Sequence, residues 1–425
     1  MKKLVSLILA LAVALSLTGA AFAEEPVTIT YATFSASGAQ EETLKKMVEV
    51  FEEKNPDIKV DVQLTGYDDY FTKLATTVGG GNAPDVFEMN MENFLAYMLR
   101  GACADLTGLV DPASYSEGTL SAVSSDGKLY AVPMSFSTCV LFYNKALFDQ
   151  AGIDYPDDTW TWTEAQAAAE KIKALGDDIW GYYQPISYNE FYKSVKGNGG
   201  SLLNEDYTAF TVNTPENVAV LEAMLARVRG EDRVMPNAED MAGRGDWDLF
   251  SEGKLGMLVS GIWGFQTFTD QCDFDWDITV EPGFKDKSTF FFANVNCVST
   301  ESDKQEAAAR FVDAMGSDPD IVQLRLDASW ELPTIADQTK LTQYLEVTPP
   351  DNREAVFDSM DYAVAPPALL EQGAVSEIIG NVLGTLETND MTAQEALDEI
   401  QAQLEEADEL SGTARGAGGF GSTGK

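Results

Sequence analysis

The feature that most constrains the fold is an alternation of strand-like and helix-like segments near the N-terminal end. "VTITYATF" alternates as a strand does, "EETLKKMVEVFEEKNP" has apolar residues at helical spacing and stops at Pro56, and "IKVDVQL" is again strand-like. A second helical segment, "YDDYFTKLATTVGGGNAP", ends in glycines before the short apolar strand "DVFEM". This β-α-β-α-β order predicts a parallel sheet covered by helices, which binds ligands at the carboxyl ends of its strands.

The rest of the chain continues the α/β pattern around a helical centre. "TWTEAQAAAEKIKAL", "NEFYKSVKG" and "TPENVAVLEAMLARVRG" are typical of helices, and "KLGMLVS", "WDITVEP" and "FFFANVNCV" are typical of strands. The 425 residues are enough for two domains. The glycine-rich residues 411–425 are expected to form a flexible tail.

The first 23 residues have the features of a secretory leader. Lys2 and Lys3 precede an apolar run, and Ala21-Phe22-Ala23 matches a signal-peptidase site, so cleavage is expected after Ala23. No cysteine lies nearby to accept a lipid anchor, and no later stretch approaches the roughly 18 apolar residues of a spanning helix. The mature protein is therefore expected to be soluble in the periplasm or outside the cell.

Charge and composition exclude several classes of function. Without the two leader lysines the chain has 26 basic residues, from 28, against 69 acidic ones, a net charge of about −43 that repels nucleic acid. There is no histidine, which excludes Ser-His-Asp and Cys-His catalysis, histidine zinc sites and histidine pH switches. Cys103, Cys139, Cys272 and Cys297 permit one or two disulfides, but their spacing does not identify the pairing.

No segment carries a complete metal or phosphate motif. Asp273, Asp275 and Asp277 are spaced like the start of an EF-hand loop, but Ile278 stands where the glycine is needed and no glutamate follows at the twelfth position. "GGGN" and "GNGG" lack the remaining residues of a P-loop or a dinucleotide fingerprint. No metal and no cofactor are therefore predicted.

The order of segments resembles the extracellular solute-binding proteins of ABC importers, in particular the carbohydrate-binding branch that includes the maltose-binding proteins. The resemblance spans nearly the whole mature chain, and the ordered set is more specific than any one segment. The segments that carry it include "FEEKNPDIKVDV", "YDDYFTKLATTVGGGNAPDVFEM", "DGKLYAVPMSFSTCVLFYNKALFDQAGI", "FSEGKLGMLVSGIWGF" and "TAQEALDEIQAQLEE".

This resemblance implies two α/β lobes, each with a mostly parallel sheet flanked by helices, joined by a hinge that the chain crosses several times. Residues 24–136 with 292–328 would form one lobe, and 140–289 with 335–408 the other. The crossings would lie near Ser135–Cys139, Phe292–Asn294 and Ser329–Thr334. The ligand site would be the cleft between the lobes, which is expected to close on the ligand.

Trp263, in "GKLGMLVSGIWGF", is the leading candidate for a ligand contact. It follows the end of a predicted strand, where the family resembled here places an aromatic residue in the cleft. A flat ring covers the C–H face of a sugar, and burying about 100 Å² of that face contributes roughly 2.5 kcal/mol. The alternative is an ordinary core tryptophan.

Further candidates come from matching segments. Glu92 and Asn93 would bond sugar hydroxyls, whereas Met89 and Ser137 stand where the maltose-type proteins have tryptophan and glutamate, which argues against a maltodextrin. Tyr188 and Tyr192 also fit a helical core stripe. The full set of predicted ligand-binding residues is Phe34, Ser35, Gln40, Met89, Asn90, Glu92, Asn93, Phe136, Ser137, Thr138, Tyr188, Asn189, Tyr192, Trp263 and Trp330.

The sequence thus favours a non-catalytic, monomeric receptor that delivers a small carbohydrate ligand to an ABC permease in the membrane. Two alternatives stay open. The same fold could bind another solute, such as a polyamine or a peptide, and a secreted glycoside hydrolase could use two of the many carboxylates without any histidine.

Overall fold

The computed structural model describes residues 25–36, 38–366, 369 and 371–415. The predicted leader, residues 1–23, and residues 416–425 of the predicted tail lie outside this part of the chain.

The strands belong to one long mixed sheet and one small hairpin. In chain order they are β1 (Val27–Thr33), β2 (Ile58–Leu64), β3 (Val86–Asn90), β4 (Ser124–Ser125), β5 (Lys128–Leu129), β6 (Val132–Asn144), β7 (Trp180–Tyr183), β8 (Leu255–Gly261), β9 (Trp276–Thr279), β10 (Thr289–Val298), β11 (Leu332–Pro333) and β12 (Ala363–Val364).

Helices cover both faces of this sheet. They are α1 (Glu41–Lys54), α2 (Tyr67–Gly79), α3 (Met91–Leu99), α4 (Glu117–Ala122), α5 (Lys145–Ala151), α6 (Trp162–Lys173), α7 (Tyr188–Gly197), α8 (Pro215–Val228), α9 (Ala238–Met241), α10 (Asp246–Ser251), α11 (Phe265–Gln271), α12 (Gln305–Ser317), α13 (Pro319–Asp327), α14 (Glu354–Asp358), α15 (Gln372–Leu383) and α16 (Ala393–Arg415). Short 3-10 turns span Gly38–Gln40, Pro112–Ser114, Ile262–Gly264, Gln338–Glu346 and Ser359–Tyr362.

The first five elements form the β-α-β-α-β unit that the sequence predicts. β1 pairs in parallel with β2 on one side and with β3 on the other. The helix α1 buries Leu44, Met47, Val48 and Phe51 along one stripe and ends at Lys54, because Pro56 lies just beyond. The carboxyl ends of β1 and β3 therefore meet at one edge of the sheet, where their following loops can share a site.

The strand order is β2-β1-β3-β10-β6-β8-β7. β10 runs antiparallel to β3 and to β6, and β8 is antiparallel to β6 and parallel to β7. β9 and β11 also pair with β6, and β12 pairs with β10. The long strands β6 and β10 thus lie at the centre of the sheet and join its two ends.

These two strands contribute side chains to both halves of the molecule. Val132 and Met134 of β6 pack in apolar clusters built mainly from residues 29–134 and 295–330, whereas Leu141 and Tyr143 of the same strand pack with residues 139–290 and 369–404. β10 divides in the same way, with Phe290 in the second group. Continuous strands that leave one core and enter another are the structural basis of a two-lobe fold with a strand hinge.

Two expectations change at this level. α16 continues to Arg415, so residues 411–415 of the predicted flexible tail are helical; local helical hydrogen bonding extends past the point where the composition becomes rich in small residues.

The four cysteines are free thiols. Cys139 and Cys272 pack in different apolar clusters, which keeps them apart, whereas Cys103 and Cys297 are buried in the same one.

Candidate functional site

A cavity of about 420 Å³, here called the aromatic cavity, opens where β1, β3, β10 and the end of β8 converge. Strands from both halves of the sheet therefore contribute to a single concave surface, which is the usual setting of a small-molecule site. Its lining residues are Phe34, Ser35, Gln40, Tyr67, Asn90, Asn189, Trp247, Trp263, Thr267, Phe292, Asn294 and Glu331. Six of the residues predicted from sequence are among them.

Trp263 stands in the short turn that follows β8, half-buried at the cavity wall. Its ring meets that of Phe292 edge-on, with centroids 5.2 Å apart and an interplanar angle of 84°. Gly261 makes this position possible, because a Cβ at residue 261 would lie 2.0 Å from Cζ3 of the indole. The glycine before Trp263 thus lets the ring fold back over the strand end and face the cavity.

A second tryptophan, Trp247, was not predicted from the sequence. It lies on α10, where its Nε1 donates a hydrogen bond of 3.1 Å to Oγ of Ser260, and its ring packs against Phe268 with centroids 5.2 Å apart. The hydrogen bond satisfies the polar edge of the indole and leaves ring surface at the cavity. A lone tryptophan in a short polar helix carries no local signal that separates this role from core packing.

The opposite wall is built from aromatic residues of the N-terminal half. Phe34 packs against Tyr67, Tyr70 and Phe71, with ring centroids 5.4, 5.0 and 5.5 Å away. Tyr67 is 49% exposed to solvent, which is high for an aromatic residue that packs in such a cluster. Its exposed ring therefore faces the cleft and can serve as a stacking surface.

The loop that carries Phe34 and Ser35 is held by a buried carboxylate. Glu88 on β3 accepts hydrogen bonds of 3.2 Å from the backbone N–H groups of both residues and another from the hydroxyl of Thr33. Glu88 is only 3% exposed, so these bonds compensate a charge removed from water. The loop is thereby fixed at the cavity rim before any ligand arrives.

Two amide side chains supply polar groups to the cavity. Gln40 is 3% exposed, and within the described residues neither its Nε2 nor its Oε1 has a hydrogen-bond partner. Asn90 caps α3 by accepting from the Asn93 backbone N–H at 3.3 Å, and its Nδ2 donates to the Tyr67 hydroxyl at 3.4 Å. A buried amide without a partner is costly unless a ligand supplies one.

A side cavity of about 300 Å³ shares Tyr67, Asn90 and Asn189 with the aromatic cavity, so the two are adjacent. It adds Glu92 and Asn93 from α3. Its remaining lining residues are Phe71, Ser187, Tyr188, Gly373 and Ser376.

Glu92 is the acidic residue that lines the side cavity. Its Oε2 is buried and has no hydrogen-bond partner among the described residues, and burial raises the pKa of this carboxyl to about 7. No lysine or arginine is among the residues that line the side cavity. The carboxyl is therefore available to hydrogen-bond donors on a ligand.

Other predicted residues lie away from these two cavities. Met89 is fully buried in the apolar cluster beneath Phe34, and Trp330 is 2% exposed with the Arg325 guanidinium 4.4 Å above its ring. Tyr192 is 6% exposed and donates to the Ala365 carbonyl at 3.0 Å.

The three predicted residues of β6, Phe136, Ser137 and Thr138, lie in different surroundings, because successive strand residues face opposite sides of the sheet. Phe136 faces a third, apolar cavity of about 550 Å³ together with Phe291, on which it stacks. This cavity shares Asn294 with the aromatic cavity and Glu92 with the side cavity. Ser137 and Thr138 are buried in the sheet and line neither cavity, and Thr138 donates to the Val356 carbonyl at 3.4 Å.

The described residues contain no group of three or more cysteine and acidic side chains arranged to hold a metal ion. Asp277, one of the three spaced aspartates, lies on β9 and pairs with Lys145 at 3.1 Å. In the same part of the chain, no helix has both the length and the apolar character needed to cross a bilayer.

Residues 35–321 match the family model of the bacterial extracellular solute-binding proteins, and the chain belongs to this family. A putative binding protein of Brucella abortus is 31% identical over 255 residues, which cover 58% of this chain and 60% of the length of that relative. An arabinooligosaccharide-binding protein of Bacillus subtilis is 23% identical over 412 residues, covering 89% of this chain and 92% of the relative.

Solved structures have the same fold. An ABC substrate-binding protein from Listeria monocytogenes, in complex with cycloalternan, is 42% identical, with a TM-score of 0.85 over 90% of this chain and 99% of that chain. The fold is the two-lobe α/β fold of periplasmic binding proteins, as predicted. The family and these relatives are binding proteins.

Proposed function

We propose that this chain is the substrate-binding component of an ABC importer and captures an oligosaccharide in its cleft. The observation that carries the proposal is the aromatic cavity itself, where ring surfaces of Trp263, Trp247 and Tyr67 stand beside a buried amide, Gln40, that has no partner in the described chain. Sugars present C–H faces to rings and hydroxyl groups to amides, so one ligand satisfies both kinds of surface.

The size of the cleft favours a ligand larger than one sugar unit. The aromatic and side cavities measure about 420 and 300 Å³ and lie side by side, sharing Tyr67, Asn90 and Asn189. One end is bounded by the tryptophans and the other by Glu92, Asn93 and Tyr188. An oligosaccharide would place one unit between the rings and extend a second towards the acid.

The relatives point to the same ligand class. The 42% identical Listeria protein holds cycloalternan, and a Bacillus subtilis relative is named for arabino-oligosaccharides. Met89 and Ser137 line neither cavity, so their departures from the maltose-type pattern do not identify the ligand.

Transport would follow from closure of the lobes. We propose one lobe at residues 24–136 with 292–328 and the other at 140–289 with 335–408. The apolar clusters divide near these limits, except that Val322 and Leu326 pack in a cluster of the second lobe. A ligand that contacts Phe34 on one side and Trp263 on the other favours the closed arrangement by its differential affinity. The closed monomer would then dock on a membrane permease.

A thermal-shift screen of the purified protein against oligosaccharides, amines and peptides tests the ligand class. An oligosaccharide should raise the melting temperature, because it binds only the folded state. A response confined to amines or peptides would replace the sugar by another solute. Incubation with the bound sugar should return it intact, whereas cleavage products would indicate a hydrolase.

Small-angle scattering of the same samples tests the mechanism. The radius of gyration should fall at saturating ligand while the molecular mass stays that of one chain. An unchanged radius would contradict lobe closure.

Export is the remaining part of the proposal. The charged head, the apolar run and Ala21-Phe22-Ala23 would direct cleavage after Ala23 and leave Glu24 as the first mature residue, without a lipid. Intact mass measurement of protein from the native host checks this expectation. A different first residue or an added acyl mass would contradict it.

A further inference from the structure

Three segments that pass between the halves of the molecule meet at one buried carboxylate, that of Glu331. The hydroxyl of Ser135 on β6 donates to its Oε2, and Nδ2 of Asn294 on β10 lies 3.4 Å from both of its oxygens. Glu331 itself directly precedes β11, which pairs with β6. The same side chain also lines the aromatic cavity. A single group thus touches every crossing and the place where the ligand would lie.

The backbone at Glu331 is unusual for a glutamate. Its φ is +55°, in the left-handed region that favours glycine, and Ser329 two residues earlier has a φ of +48°. A non-glycine residue persists in this region only where its surroundings over-determine the conformation. The hydrogen bonds of the Glu331 carboxylate hold the backbone in this conformation. The position of this side chain therefore indicates a functional role.

The charge of Glu331 is only partly compensated. Arg325 lies 3.9 Å from Oε2, but its Nη1 also donates to the Trp330 carbonyl at 3.3 Å. The contacts from Asn294 are long for hydrogen bonds, and Glu88 adds like charge nearby. Burial is the main reason why the pKa of Glu331 is raised above its ordinary value. Hydroxyl donors from a ligand would therefore improve its solvation at the cavity floor.

We propose that Glu331 is the residue that couples ligand binding to lobe closure. Its carboxylate would accept hydroxyl groups of the bound sugar and, through Ser135 and Asn294, hold the hinge strands in the closed arrangement. This inference rests on the proposed function, since it requires a hydroxyl-bearing ligand in the aromatic cavity. Ligand binding would then change the hydrogen bonding of all three crossings at once. Part of the binding free energy would thereby favour the closed arrangement of the lobes.

The test uses the full mature chain and the oligosaccharide that gives the largest thermal shift. Glu331→Gln keeps the shape of the side chain but removes the charge. Asp126→Gly is the control, because it relieves a positive φ of +51° at an exposed turn that lies outside the crossings and the cavity linings. Calorimetric titration should show at least a tenfold loss of affinity for Glu331→Gln and less than a twofold change for Asp126→Gly. Scattering should show a smaller contraction of Glu331→Gln at saturating ligand.

Ser135→Ala provides a second variant that leaves the lining of the aromatic cavity intact, since Ser135 is 1% exposed and does not line it. It should lower affinity severalfold and reduce the contraction, and it keeps the inference testable if Glu331→Gln does not fold. Wild-type affinity and contraction in either folded variant would overturn the inference and leave the proposed function intact. A wild-type protein that binds no oligosaccharide would overturn both.

Discussion

Trp263 meets Phe292 edge-on, with ring centroids 5.2 Å apart and planes at 84°. This contact joins the turn after β8 to the central strand β10, which contains one of the proposed crossings. Because the Phe292 ring packs against the indole, the ring of Trp263 is held in place, and its remaining surface borders the aromatic cavity. A ligand stacked on Trp263 would therefore press on a ring that is anchored to the hinge.

Trp263→Ala should weaken ligand binding by roughly 2 kcal/mol, about 30-fold, because the stacking area is lost. It should cost less stability than truncation of a core tryptophan, which typically costs about 3 to 5 kcal/mol. Trp276→Ala is the control, since Trp276 is 4% exposed in the core of the same half. Titration calorimetry and denaturant unfolding separate the two effects. A large stability loss with unchanged affinity at position 263 would identify Trp263 as a core residue.

Gly261→Ala should displace the indole without deleting it. The added Cβ would lie 2.0 Å from Cζ3 of Trp263, well inside van der Waals contact, so the ring must move. We expect about a tenfold loss of affinity and a changed fluorescence maximum of the cleft tryptophans. Gly380→Ala on α15 is the control, because a Cβ there meets nothing within 4 Å and should leave binding unchanged. Equal affinity of the 261 variant and the wild type would argue against a role of this ring.

Gln40→Met should lower affinity and leave stability equal or higher. The amide of Gln40 is buried without a partner in the described residues, so its removal abolishes a desolvation cost in the free protein. A lost ligand hydrogen bond is worth about 0.5 to 1.5 kcal/mol, or roughly two- to tenfold in affinity. Gln166→Met, at a half-buried position of α6 where the amide bonds Glu170 outside the cavities, is the control. A clear drop in melting temperature would mean that the Gln40 amide has a structural partner.

Ligand affinity should rise with pH through neutrality if Glu92 accepts sugar hydroxyls. Burial raises the pKa of Glu92 to about 7 from an ordinary value of 4.5. Ligand hydroxyl donors favour the carboxylate, so binding releases a proton and the affinity increases by up to about tenfold between pH 6 and pH 8. Calorimetric titrations of the wild type and of Glu92→Gln at pH 6 and pH 8 measure this change in affinity. Equal pH dependence in both proteins would exclude Glu92 from the ligand contacts.

The same group makes an independent prediction about stability. Because its folded pKa lies above the unfolded one, its contribution to stability is complete below about pH 4.5 and is lost as the pH rises through about 7. Relative to Glu92→Gln, which does not titrate there, the wild type should therefore lose melting temperature between pH 4.5 and pH 8. A constant difference between the two proteins would mean that the carboxyl finds a partner in solution.

Local patterns were enough to predict the elements that frame the site. α1 and β2 were predicted close to their observed limits because apolar spacing and Pro56 act within a few residues. Trp263 was predicted to line the cleft because it follows a predicted strand at the place where the family that the sequence resembles has a cleft aromatic residue. The neighbours Met89 and Asn90 show where such reasoning weakens, since successive strand residues face opposite sides and only Asn90 lines the cavity.

Trp247, Tyr67 and Glu331 had no local signal. Trp247 lies in a six-residue helix and Tyr67 begins a 13-residue one, and in both the local pattern is the same for a core or a cleft position. Glu331 takes its role from Ser135 and Asn294, which are 196 and 37 positions away in the chain. Nothing within a few residues of it indicates a positive φ in a glutamate.

The sequence by itself determined the α/β class, the order of the elements and the family, because these follow from periodicity and from short segments in a fixed order. The tertiary structure alone decided which side chains share a cavity. Phe34, Gln40, Asn90, Trp263 and Glu331 are brought together by the register of β10 between β3 and β6. A shift of one residue in that register would turn Phe292 and Asn294 to the opposite face of the sheet. Long-range strand pairing, which no local pattern encodes, therefore places the site.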